Sequence, residues 1–76
     1  MLFNGVAINL EHVLYIERDY AFGKNGDKRD KKDGYASLEF HFLYGTKKDV
    51  HYKSEHEKLE AEFLTGSQIL LKREIS

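Results

Sequence analysis

The chain has 76 residues and a mass of 8.9 kDa, with 41% hydrophobic and 33% charged residues and a formal charge of −1. That length accommodates one small domain over residues 1–76, and the composition is that of a globular protein, not a disordered one. The absence of cysteine excludes disulfides, thiolate zinc sites and a cysteine nucleophile. No apolar run approaches the roughly 20 residues of a membrane span, and no basic-then-apolar leader is present, so the expectation is a soluble, cytoplasmic domain with no membrane partner.

In chain order, Leu2 to Leu10 is apolar but interrupted by Asn4-Gly5, which predicts a turn or bulge beside a short strand. Leu10 to Val13 suits one tight turn. Val13 to Tyr20 is rich in β-branched and aromatic residues and reads as a strand. Residues 23–34 then hold three glycines, eight charges and no apolar residue, which predicts a long, flexible charged loop. Its Lys24, Lys28, Arg29, Lys31 and Lys32 outnumber three aspartates, a net of +2 that leaves −3 for the remainder.

Ser37 to Leu43 alternates, with Leu38, Phe40 and Phe42 on one face and Glu39 and His41 on the other. Lys48 to Tyr52 alternates again, so the two runs predict an antiparallel hairpin. Maximal apolar overlap sets Val50 beside Phe42 and Tyr52 beside Phe40, with Gly45-Thr46-Lys47 as the loop. Ser54 and Glu57 have the spacing of a capping box, and Leu59 and Phe63 the spacing of one helix face. Thr65-Gly66-Ser67 suggests a stop. Residues 68–75 read as a further helix after a break at Gly66, with strand as the alternative; as helix, Leu64, Leu70 and Leu71 extend the Leu59/Phe63 stripe.

The fold class is therefore α+β: a small antiparallel meander of three to four strands, one face covered by a C-terminal helix. The expected core is Ile8, Leu14, Ile16, Leu38, Phe40, Phe42, Val50, Tyr52, Leu59 and Phe63.

The same register sets His41 opposite His51 on the uncovered face, with Tyr15 in their row and Glu17, Glu39 and Lys53 in the next. Two imidazoles on neighbouring strands with a carboxylate nearby are potential metal ligands or a pH-sensitive pair, but without a close third partner no metal or other cofactor is assigned. The loop aspartates lack the spacing of a calcium loop, and no nucleophile elbow, zinc-protease helix or phosphate-binding loop is present. A chain this short has little room for a catalytic cleft.

The expected function is therefore non-enzymatic: a protein-interaction module, a regulator or inhibitor, using Tyr15, Tyr20, Phe22, Lys24, Lys28, Arg29, Lys31, Lys32 and Tyr35. A sheet edge offers backbone for a partner strand or for a homodimer. One alternative is single-stranded nucleic-acid binding by the loop lysines and exposed tyrosines; another is a His41/His51 metal or pH sensor. Tyr20, Phe22 and Tyr35 also suit an apolar lid over the end of the sheet.

Overall fold

The computed structural model describes residues 1–21, 35–53 and 55–75, with backbone alone at Ala21, Tyr35, Glu74 and Ile75. The charged loop over 23–34 and the serine of the capping box, Ser54, lie outside the described residues.

Strands β1 (Leu2–Phe3) and β2 (Val6–Ala7) form a minimal hairpin. Its turn, Asn4-Gly5, has positive φ at both residues (48° and 80°), the geometry that matches the twist of a two-residue hairpin and that Asn-Gly adopts most readily. A 3-10 turn follows at Leu10–His12, its Glu11 N–H donating to Asn9 Oδ1 at 3.1 Å. Strands β3 (Val13–Ala21), β4 (Tyr35–Phe42) and β5 (Lys47–His51) then form an antiparallel meander in that order. Helix α1 (His56–Ile75) crosses one face of it. The Glu55 carbonyl accepts the first helical bond, from Leu59 N–H, so the start falls within a residue of the expected one.

Between β3 and β4 the register sets Ile16 opposite Phe40 and Tyr15 opposite His41, as expected. At the start of β3, however, Val13 faces Phe42, and the pairing slips between Val13 and Tyr15. The extra residue of this bulge inverts the alternation. Val13, not Leu14, enters the core, and Leu14 is 49% exposed.

The hairpin of β4 and β5 differs from its expected register. Val50 pairs with Leu38 and Phe40 with Lys48, and the loop is Leu43-Tyr44-Gly45. Gly45 N–H donates to the Phe42 carbonyl at 3.1 Å, and Phe42 N–H donates to the Thr46 carbonyl at 2.8 Å. A three-residue loop of this kind ends on a residue in the left-handed region, and Gly45, at φ +89°, occupies it. Turn chemistry therefore prevails over maximal phenylalanine overlap. The displacement is an even number of residues, so every side chain keeps its expected face. Tyr52 comes beside Ala36, to whose carbonyl its N–H donates at 2.7 Å; the small alanine leaves room for the phenol.

The helix does not break at Gly66. Leu59, Phe63, Gly66 and Leu70, spaced four, three and four apart, form one continuous stripe against the sheet. A Cβ on Gly66 would lie 2.9 Å from Ile16 Cδ1 and 3.1 Å from Phe3 Cζ, so this glycine allows close approach and does not terminate the helix. The twenty-residue helix runs through 68–75, and Leu64 and Leu71, off the stripe, are 58% and 56% exposed.

The core comprises Phe3, Ile8, Val13, Ala36, Leu38, Phe40, Val50, Tyr52, Leu59 and Leu70, with Ile16, Phe42 and Phe63 half-buried around it. Phe3 meets Phe40 edge-on at 4.6 Å. The β1–β2 hairpin thus inserts an aromatic between sheet and helix. Glu62 secures that position: both its carboxylate oxygens accept from Asn4 N–H, at 3.0 and 3.1 Å, and Oε2 also accepts from Tyr52 Oη–H at 3.2 Å. Burial and then the Glu62 charge raise the Tyr52 phenol well above its ordinary value.

Candidate functional site

The meander leaves two surfaces with chemical character: its uncovered face and the outer edge of β3. On the uncovered face the pairings generate three rows across the strands. Tyr15, His41 and Lys47 form the first; Glu17, Glu39 and Asp49 the second; Asp19, Ser37 and His51 the third. The expected His41–His51 pair is thus not assembled. The changed hairpin register sets His41 against Lys47 and His51 against Ser37, with the acidic row between them, and Asp49 takes the place expected for Lys53. Tyr15 does join His41, their rings stacked at 4.2 Å and 10°.

Three carboxylates side by side repel one another. Lys47 Nζ lies 3.1 Å from Glu39 Oε1, and that bond, the Glu39 charge and Asp49 raise the Lys47 ammonium above its ordinary value. His41 Nε2 is 3.6 Å from Glu17 Oε1, too long for a hydrogen bond. The second, acidic row opposes the phosphate backbone of a nucleic acid.

Tyr20 is on the other face. Its hydroxyl donates to Glu60 of α1, and Arg18 donates to the same carboxylate at 2.7 Å while its guanidinium lies 4.5 Å above the Phe63 ring. Burial, then the Glu60 hydrogen bond, push the Tyr20 phenol up to about 12. Tyr15 and Tyr20 therefore do not share a stacking platform. Tyr20 packs against the core, in keeping with a lid role. Phe22, Lys24, Lys28, Arg29, Lys31 and Lys32, and the Tyr35 side chain, lie outside the described residues.

Strand β3 is an edge of the meander: β4 pairs with one side, and among the described residues no strand pairs with the other. Beside its first half, a groove of about 200 Å³ runs against the C-terminal half of α1, lined by Leu14, Tyr15, Ile16, Ser67, Leu70 and Leu71. The β3 bulge creates this groove by turning Leu14 outward. Near the end of α1, Arg73 donates to the carbonyls of Leu10 at 2.7 Å, Glu11 at 3.2 Å and Val13 at 2.6 Å. These bonds join the last helical turn to the entry of β3, where a cation also suits the helix dipole.

The sequence places Tyr15 in the row of His41, as the structure has it, but assigns Leu14 to the core and gives no groove at Leu71. The helical spacing held the signal for Leu71: extending the Leu59/Phe63/Leu70 stripe leaves it off the buried face. A larger hollow of about 440 Å³ at the helix start has Glu55, His56, Glu57 and Lys58 as its described lining, four consecutive residues of one segment. No family model, curated protein or solved structure matches this chain.

Proposed function

We propose that this protein is a small non-enzymatic interaction module, a regulator or inhibitor, that captures an extended segment of a partner protein along the outer edge of β3. The observation that carries this reading is the conjunction of a nine-residue edge strand with an adjoining apolar groove. Beyond Val13, whose carbonyl Arg73 already occupies, edge amides and carbonyls supply backbone hydrogen bonds, while pockets for alternate side chains supply selectivity. Leu14 and Leu71 accept an apolar anchor, and burying one such side chain is worth about 2 kcal/mol.

Charge selects the occupant. Beyond Tyr15, β3 presents Glu17 and Asp19 on the uncovered face, favouring a strand with lysine or arginine at alternate positions. Antiparallel self-pairing centred on Glu17 sets that carboxylate against its own copy; centring on Arg18 sets it against Asp19. A second copy is therefore the poorer occupant. A cysteine-free chain needs no oxidising compartment, and we assign its action to the cytoplasm.

Selection from a random-peptide display library, followed by amide chemical-shift mapping, tests the reading. Selected peptides should alternate apolar and basic residues, shift amides of Val13–Ala21, and lose affinity at least tenfold on Leu14→Asp or Leu71→Asp. Peptides whose shifts centre on β5 or the helix start would overturn it, as would affinity unchanged in both variants. Sedimentation of the free protein at high concentration separates self-association from capture.

A further inference from the structure

From a different observation, we infer that Glu17, Glu39 and His41 form a binding site for a divalent transition-metal ion on the uncovered face of the sheet. One donor atom from each side chain lies within 4.8 Å of the other two. The set mixes two carboxylates with an imidazole on adjacent strands, held in place by the Tyr15–His41 and Glu17–Glu39 pairings.

The second observation is His41 Nε2 itself. The nitrogen is shielded from solvent, although the side chain as a whole is 24% exposed, and it has no hydrogen-bond partner among the described residues; Glu17 Oε1 lies 3.6 Å away. A buried polar atom without a partner costs about 1–3 kcal/mol, and a neutral imidazole satisfies it by donating its lone pair to a cation. Three donors around an ion at zinc-like distances sit about 3.4 Å apart. The glutamates need only small rotations to close from their present separations, and the Glu17 side chain is half exposed.

The stack with Tyr15, 4.2 Å away, holds the imidazole plane so that little rotamer freedom remains to be lost on binding. Asp49, in the row of the two glutamates, adds a third carboxylate to the negative potential at the site. The present counter-charge is the Lys47 ammonium on Glu39 Oε1; its side chain is 58% exposed and can swing aside. An imidazole in the donor set favours zinc, copper or nickel over magnesium or calcium, which prefer oxygen alone.

Titration of the folded protein with zinc chloride, followed by imidazole ¹⁵N shifts, tests the site. Saturable one-to-one binding should move His41 Nε2, with magnesium chloride giving no such shift. His41→Gln, Glu17→Gln and Glu39→Gln should each weaken zinc binding at least tenfold while keeping the amide spectrum of the fold. Lys47→Met should tighten binding severalfold, because a competing cation is removed; a lysine merely shielding the sheet predicts no gain. Zinc shifts centred on His12, His51 or His56, or affinity unchanged by His41→Gln, would overturn the assignment.

Discussion

The two faces of the meander use the same three strands in opposite ways. On the helix side, Leu38, Phe40 and Val50 are buried beneath Leu59 and Leu70, and stability there comes from apolar area removed from water. On the other side the same strands present Glu17, Asp19, Glu39, Asp49, two histidines and a lysine, whose mutual energies are small, signed and screened by salt. The difference teaches that the covered face holds the fold together and the uncovered face is free to carry charge in patterns that stability alone would not select. The binding surfaces proposed above lie on the second face and at the β3 edge where the two meet.

The contrast should be plainest in truncations. Phe40→Ala, in the centre of the covered face, should cost about 3–5 kcal/mol. That approaches the whole stability of a domain this size, so urea unfolding should find the variant largely unfolded in buffer. A paired comparison isolates the bulge: Val13→Ala should cost about 2 kcal/mol, whereas Leu14→Ala next to it should cost under about 0.5 kcal/mol. Equal losses would mean that β3 alternates regularly.

Gly66→Ala measures the closeness of helix and sheet. A surface helical glycine replaced by alanine gains about 1 kcal/mol, but here the new methyl meets Ile16 and the packed Phe3 ring. Overpacking should win, and thermal unfolding should show a net loss of about 1 kcal/mol.

Alkaline titration probes the helix side by charge. The folded pKa of Tyr20, about 12, lies above the ordinary value of 10. Between these pH values the folded state keeps a proton the unfolded state has released, so stability is fully present below pH 10 and falls as pH rises towards 12. Tyr20→Phe should flatten that decline and, at neutral pH, cost about 1 kcal/mol for the lost bond to Glu60. The smallest effect belongs to the uncovered face: Asp49→Asn should raise stability by about 0.3 kcal/mol at low salt, and the gain should vanish at high salt.

Local chemistry explains which elements were legible. Asn4-Gly5 announced a turn because few other residues tolerate two consecutive positive φ angles. The alternation of Leu38, Phe40 and Val50 assigned faces because strand periodicity is two wherever no bulge intervenes. The Ser54/Glu57 spacing and the Leu59/Phe63 face set the helix start beside His56, where it falls, though Ser54 itself lies outside the described residues. The candidate site was less legible. Leu14 was misassigned because a bulge leaves no mark in hydrophobic alternation, and the histidine pair because overlap of phenylalanines was weighed above the left-handed requirement at Gly45.

The sequence by itself, then, determined the α+β class, the order of elements and the face to which most strand residues point, since each follows from periodicities of two or 3.6 acting within a few residues. Tertiary structure decided which residues become neighbours across the sheet, that Gly66 is a contact and not a stop, and that Leu14, Leu71 and the Glu17–Glu39–His41 group converge. Those outcomes depend on register, a bulge and the approach of helix to sheet, which are set by packing among residues distant in the chain.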